Sequence, residues 1–447
     1  MREYTKETKS QKRTKILYAV LTASACVTAF VFNSMGYSGS RIIVLLLLGI
    51  AMVTDIEKNF CLIAFCLPMS SILKLSSTSI SILPLLYFIV IIKLVLQRKV
   101  RLNLYSVIAL AFFSAWQLFS VLAYGAGITS VVSLLLNVVF VVCSSAYFFE
   151  YGEENKQLKV TSVFYISGTF LEILLCDIFP NIPYIIDYEK QSKLDYNNRY
   201  AAMNMDPNEY SQMILVAIGL AVAILPLIKS KLGKVVDIAV IIYLGINGYR
   251  SYSKSYVLTL VLLFILAVII YLFETAREKG PIVTLLKFVP IIVVGVVGAT
   301  VLYKYVVVPV FEARSEYQAD LLTGRDYIWG EYFKALKQRV DVVIIGCGAN
   351  NSTFLHKYCF LHGSVAHNLY LEFLIQFGVT GIIALAIAWR DAIKSIAKNK
   401  LTNYMVLPLA AFLITSFGIS ANANDCLYVL MLIMSMPYSV KELKKLR

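Results

Sequence analysis

The stretch LYSVIALAFFSAWQLFSVLAYGAGITSVVSLLLNVVFVVCSSAYFF (Leu104–Phe149) decides the fold. It holds two apolar runs, 104–124 and 128–149. Each is close to the ~20 residues a helix needs to cross the ~30 Å hydrocarbon core of a bilayer. Working outward, similar runs recur at 16–33, 41–54, 60–75, 80–96, 159–179, 209–228, 235–249, 255–273, 286–308, 367–389, 402–420 and 425–438. The 447 residues are 59% hydrophobic and only 15% charged, with mean hydropathy +0.73, which excludes an ordinary water-soluble globule. A membrane β-barrel would instead alternate along short strands. The expectation is an all-α polytopic membrane protein with about twelve to fourteen transmembrane helices. The second and third runs are interrupted by Asp55, Glu57 and Lys58, so they read as a thin hairpin or a re-entrant pair.

Orientation follows from the basic residues. With the N-terminus inside, 26 of the 41 Lys and Arg fall in short cytoplasmic segments, as the positive-inside rule requires. Both termini are then cytoplasmic, and the long loops 180–208 and 309–366 face outward. The chain divides into a basic N-terminus (1–15), transmembrane helices 1–11 (16–308), the large outer loop (309–366), transmembrane helices 12–14 (367–438) and a basic tail (439–447). The first apolar run reads as an uncleaved signal anchor. A net charge of +14 invites a nucleic-acid reading, but the cations cluster beside membrane runs, where anionic lipid explains them.

The polar residues that break this pattern gather on the outer side. NNRYAAMNMDPNEY (Asn197–Tyr210) reads as a helix start with Asp206 as N-cap and Glu209 near the positive helix end. Arg199 is either merely solvated there or an anion ligand. NGYRSYSKSYVLTL (Asn247–Leu260) places Arg250 and Lys254 at the start of a helix, where a cation opposes the dipole unless an anion is present. Snorkelling to lipid headgroups is the alternative.

In the large loop, Thr323 and Asp326 have capping-box spacing, so a helix is expected from near Gly324 to about Gln338. Its apolar stripe would be Ile328, Trp329, Tyr332, Phe333 and Leu336, lying on the bundle or at the interface and presenting Arg325 at the membrane surface.

GSVAHNLYLEFLIQFGVTGIIALAIAW (Gly363–Trp389) then carries His367 to the start of a membrane run, with Asn368, Glu372 and Gln376 as a polar stripe. All three histidines, His356, His362 and His367, lie close together here. Intramembrane ionisable groups mark function by default, although a structural network between helices would also use such a stripe.

Cys347 and Cys359 lie in the outer loop, where a disulfide is permitted; the other six cysteines fall in or beside membrane runs. The Cys and His spacings match no standard zinc pattern. The chain holds no Asp-x-Asp, and the first outer loop, Asn33–Ser40, holds no carboxylate. No metal and no cofactor are expected.

In this order, DPNEY (Asp206–Tyr210), YRSYSKSY at Arg250, GRDYIW with IIGCGANN (Ile344–Asn351), and HNLYLEFLIQFGVTG make the chain resemble the O-antigen polymerase and ligase family, the Wzy-like and WaaL-like membrane glycosyltransferases. The family usually reads Ser-Arg where this chain has Tyr249-Arg250. The resemblance implies metal-independent polymerisation of cell-surface polysaccharide repeat units on the outer face of a bacterial cytoplasmic membrane. Glycan on undecaprenyl diphosphate would pass to an acceptor glycan. A ligase that uses another surface acceptor, or a lipid-linked oligosaccharide flippase, are the alternatives; a transporter would expose charge from both sides near the midplane. Implied partners are the lipid-linked oligosaccharide, the acceptor glycan, the bilayer, and a flippase and chain-length regulator, with no nucleic acid. Catalytic roles would fall to His367, Glu372, Arg325 and Arg250. Substrate binding would fall to Arg199, Asn208, Lys254, Arg314, Trp329, Asn368 and Tyr370.

Overall fold

The computed structural model describes residues 16, 18–28, 39–70, 73–74, 81–151, 156–178, 199–202, 206–280, part of 282–308, 324–361, 365–390 and 404–419. In chain order the helices are α1 (Tyr18–Thr28), α2 (Gly39–Val53), α3 (Ile56–Cys66), α4 (Ile82–Leu96), α5 (Leu104–Tyr124), α6 (Ile128–Tyr151), α7 (Lys156–Ile178), α8 (Pro207–Ile224), α9 (Lys231–Tyr249), α10 (Lys254–Lys279), α11 (Arg325–Gln338), α12 (Val340–Ile345), α13 (Leu369–Ala388) and α14 (Val406–Thr415). No strand occurs among the described residues. Among the described residues seven helices, α5 to α10 and α13, are long and apolar enough to cross a membrane, so the protein is all-α and polytopic. The expected run 425–438, most of 286–308 and both basic termini lie outside the described residues.

The interrupted pair resolves into unequal halves. At 1.5 Å per residue α3 spans only about 16 Å, roughly half a bilayer core. Nearly all of it is buried, packed on α7 and α4. Lys93 of α4 explains how α2 ends inside this packing: its ammonium donates to the carbonyls of Ala51 and Thr54, which have lost their helical partners.

At the centre stands α8. Almost every one of its residues is buried, because α7, α9, α10 and α14 surround it. Gln212, in the first third of it, donates to Phe412 O, Thr415 Oγ1 and Ser416 Oγ of the α14 end. A buried amide satisfied across two helices is worth more than its apolar substitute in fixing register.

Two groups of residues mark the two ends of the bundle. Helices α8, α10 and α13 begin, and α7 and α9 end, at the end that carries Arg250 and His367, called here the site end. The basic clusters Arg98–Arg101, Lys229–Lys234 and Arg277–Lys279 lie at the opposite end, as does Arg390, over the Tyr105 ring at the start of α5.

Helix α11 has the boundaries its sequence predicts, but Gly324, with φ 76°, occupies the N-cap position given to Thr323, which lies outside the described residues. Its buried face is Tyr332, Ala335 and Leu336, flanked by Ile328 and Trp329. Phe333, expected on that stripe, is 51% exposed, because one residue step turns it about 100° from Tyr332. Beyond it, Arg339 grips Asp341 through two hydrogen bonds of 2.9 and 2.6 Å and donates to Tyr358 Oη, while Tyr124 Oη at the end of α5 donates to Asp341. The Arg339 guanidinium holds the Asp341 carboxyl down at about 2.

One membrane helix is broken. Gly378 inside α13 has φ 62° and ψ 176°, which frees carbonyls of the preceding turn. Unpaired carbonyls inside a bilayer cost several kcal/mol each. They are met by the loop after α12: Cys347 N donates to Ile375 O at 2.8 Å and Gly348 N to Gln376 O at 3.0 Å. Gly346, at φ 73°, and Gly378 pack backbone to backbone, so a Cβ on either would strike the other segment. Thr380 Oγ1 and Trp116 Nε1 take up Ile344 O and Ile345 O. The motifs IIGCGANN and QFGVTG are therefore two halves of one structural joint.

Candidate functional site

Four helices present their N-termini to one place. Asp206 caps α8, accepting from Asn208 N at 2.6 Å. Ser253 caps α10, accepting from Tyr256 N, and its hydroxyl donates to Asn208 Oδ1 at 2.9 Å, which binds the two helix starts together. Asn368 caps α13 through Tyr370 N and Leu371 N. Arg325 opens α11 and donates to Gly418 O, just past α14, at 3.0 Å. A side chain at Gly418 would approach Arg325 Nη1 at 3.3 Å and Ser255 Oγ at 3.8 Å, so the α10 and α11 starts face each other across this glycine.

His367 sits among these ends. It is half-buried, just before α13, in the left-handed region at φ 48°. For a non-glycine residue that conformation is uncommon, and it persists only where surroundings enforce it. Trp329 Nε1, donating to Ala366 O at 2.8 Å, fixes the preceding residue to α11. Arg325 and Asp206 are its charged neighbours. Burial, and next the Arg325 charge, push its pKa below the ordinary imidazole value, while Asp206 pulls upward. A depressed pKa leaves the ring neutral and able to accept a proton at neutral pH.

Glu372 is placed differently from its expected role beside His367. Its Oε1 accepts from Ala366 N at 2.8 Å and its Oε2 from Gln376 Nε2 at 3.3 Å, with Ser352 and His356 also near. Gln376 joins it as the sequence stripe suggests, so this pair braces the loop against α13. Asn368 is a cap. Tyr370 Oη donates to Leu413 O, and its ring lies 4.5 Å from that of Phe417, at the edge of the site.

Arg199 is not solvated. It is 3% exposed, donating from Nε to Ser251 O at 2.8 Å and from Nη2 to Asn208 Oδ1 at 3.0 Å. Arg199 and Asn208 thus form a wall behind the α8 and α10 starts.

Arg250 adjoins this pair: its carbonyl accepts from Tyr200 N, and Arg199 binds the carbonyl of the next residue, Ser251. Arg250 follows the last residue of α9 rather than opening α10; Lys254 does that. The expected conflict with a helix dipole therefore falls away, since a C-terminal end favours a cation. Arg250 Nη1 donates to Asp177 Oδ1 at 2.7 Å and to Asn247 Oδ1 at 2.9 Å, and its guanidinium lies over the Tyr200 ring at 3.9 Å. Asp177, at the end of α7, gave no signal in the sequence. Arg314 lies outside the described residues.

Cys347 and Cys359 are both free; their thiols donate to Asn351 O and Leu355 O. Among the described residues no three His, Cys, Asp or Glu side chains group to hold a metal ion.

Residues 238–386, which hold Arg250, Arg325, His367 and the broken helix, match the family model described as O-antigen ligase. A comparison with curated proteins finds no match. The match covers about a third of the chain and, together with the all-α membrane architecture, supports an O-antigen polymerase/ligase-type family, one that implies lipid-linked glycan substrates.

Proposed function

We propose that the protein is a polymerase of cell-surface polysaccharide, moving glycan from undecaprenyl diphosphate to an acceptor glycan on the outer face of the cytoplasmic membrane without a metal ion. The observation that carries this reading is the convergence of four helix N-termini on Arg325 and His367. Helix starts supply unsatisfied N–H groups and positive potential for an anion. Arg325 is itself at a helix start, which an anionic diphosphate would stabilise.

In the reaction, the acceptor hydroxyl oxygen bonds to the anomeric carbon and the carbon–oxygen bond to the diphosphate breaks, its electron pair leaving with the diphosphate. Arg325 offsets the charge that develops on that leaving group. His367 takes the hydroxyl proton. Trp329, Asn368 and Tyr370 shape the site around them. The large loop, through α11, completes it over the transmembrane body.

The basic clusters at the opposite end of the bundle support cytoplasmic termini. With Cys359 replaced, a cysteine at Gln338 should react with an impermeant reagent outside the cell and one at Lys231 should not; the reverse pattern removes the proposed face. Purified protein given lipid-linked glycan should lengthen it in the presence of a metal chelator. Loss of activity on chelation would overturn the metal-free reaction. The ligase reading, which the description of the matched family favours, predicts no product until a different surface acceptor is added.

A further inference from the structure

Arg250 stands in a setting unlike that of an anion ligand. Its charge is already met by Asp177 at 2.7 Å, its position at a helix C-terminus is favourable without any anion, and its plane is laid over Tyr200. Around it the chain gathers tyrosines. The rings of Tyr249 and Tyr252 lie 5.3 Å apart, those of Tyr200 and Tyr210 meet edge to face at 5.4 Å, and Tyr243 packs on Phe170 at 4.9 Å and donates to Asp177 Oδ2. Tyr252 is held at φ 46°, one of the few left-handed non-glycine residues, as His367 is. The ion pair is not sealed in: the side chains of Arg250 and Asp177 are 39% and 35% exposed.

We infer that the Arg250–Asp177 cluster is a subsite for a sugar ring, set beside the diphosphate site and separated from it by the Arg199–Asn208 wall. A pyranose offers adjacent hydroxyls, each both donor and acceptor, and an apolar face of C–H bonds. A paired guanidinium and carboxylate presents planar donors and acceptors at matching spacing without net charge. Tyrosine faces, negative at the centre, suit C–H bonds and exclude water cheaply. The wall fits this division: Arg199 bonds Ser251 O, next to Arg250, and Asn208, beside the Asp206 cap, so a sugar joined to the bound diphosphate would extend from one site to the other. The inference rests on the diphosphate reading of Arg325. The sugar comes either from the donor glycan or from the acceptor.

Three probes separate these possibilities: lipid-linked glycan extracted from the producing cells, the glycan released from it by mild acid, and undecaprenyl diphosphate alone. Binding is measured to full-length protein in lipid nanodiscs, with the thermal midpoint as a check that each variant is folded. Arg250→Gln and Asp177→Asn are expected to bind undecaprenyl diphosphate as wild type does and to bind the lipid-linked glycan roughly tenfold more weakly, about the loss of one charged hydrogen bond. Competition by released glycan that Asp177→Asn abolishes assigns the subsite to the acceptor; no competition assigns it to the donor. Arg250→Gln losing undecaprenyl diphosphate as strongly as Arg325→Gln does, or Asp177→Asn binding lipid-linked glycan unchanged, overturns the sugar subsite. If instead Arg325→Gln keeps full affinity for undecaprenyl diphosphate, the diphosphate reading fails on its own. Where Arg250→Gln does not fold, Arg250→Lys and Asp177→Asn carry the test.

Discussion

Arg325 and Arg250 carry the same charge at the same end of the bundle, yet the backbone sets them at opposite poles of their helices. Arg325 begins α11, where the aligned peptide dipoles oppose it, and it donates to a backbone carbonyl past α14. Arg250 follows α9, where the dipole welcomes it, and Asp177 neutralises it. A cation held against its helix dipole and amid three further helix starts would gain from an incoming anion. One that is already balanced has nothing to gain from an anion and can offer only directional hydrogen bonds. In the proposed site, two identical side chains would thus be separated in task by the ends of the helices that bear them.

Turnover is where this contrast should be largest. His367→Ala is expected to lose about a hundredfold to ten thousandfold in rate while remaining folded. Arg325→Lys, which keeps the charge but not the fork of donors, should lose about a hundredfold to a thousandfold. Arg250→Lys, still able to pair with Asp177, should lose only about tenfold, one charged hydrogen bond's worth. Glycan-transfer rates on folded, equal amounts of each variant decide the matter; equal losses at the two arginines would erase the distinction.

A smaller effect sharpens it. In the proposed reaction the group that must be unprotonated is His367, whose pKa is pushed below the ordinary imidazole value, so the acid limb of kcat/KM should also lie below that value. Arg325 lowers that pKa and Asp206 raises it. Removing the cation in Arg325→Gln should therefore move the limb to higher pH, and Asp206→Asn, which can still cap α8, should move it lower. Arg250→Gln should leave the limb where it is. A limb that ignores Arg325 and Asp206 would remove His367 as the group being titrated.

Much of this was legible in the sequence, and what was missed has definite causes. Apolar runs specify the membrane helices, since they act residue by residue. Helix α11 and the Asp206 cap were equally local signals. The pole of Arg250 was not, because only four residues separate α9 from α10 and a single break in the apolar pattern does not say which helix owns it. Its partner Asp177 is 73 residues away at the end of an apolar run, a pairing that no periodicity encodes. The polar stripe on α13 was visible, but the loop amide of Ala366 that occupies Glu372 is supplied only when the chain folds back. Nor does a lone glycine in an apolar helix announce a break.

That break fastens the loop after α12 to the membrane helix. The amides of Cys347 and Gly348 donate to the carbonyls of Ile375 and Gln376 before the break, and Thr380 after it donates to Ile344 O, so one segment holds both halves of α13. Whatever displaces α11 in the course of turnover would carry His367 with it through Trp329 and Ala366. His367 and the arginine at the head of α11 would then keep their separation, which would let the site admit a bulky glycan without being taken apart.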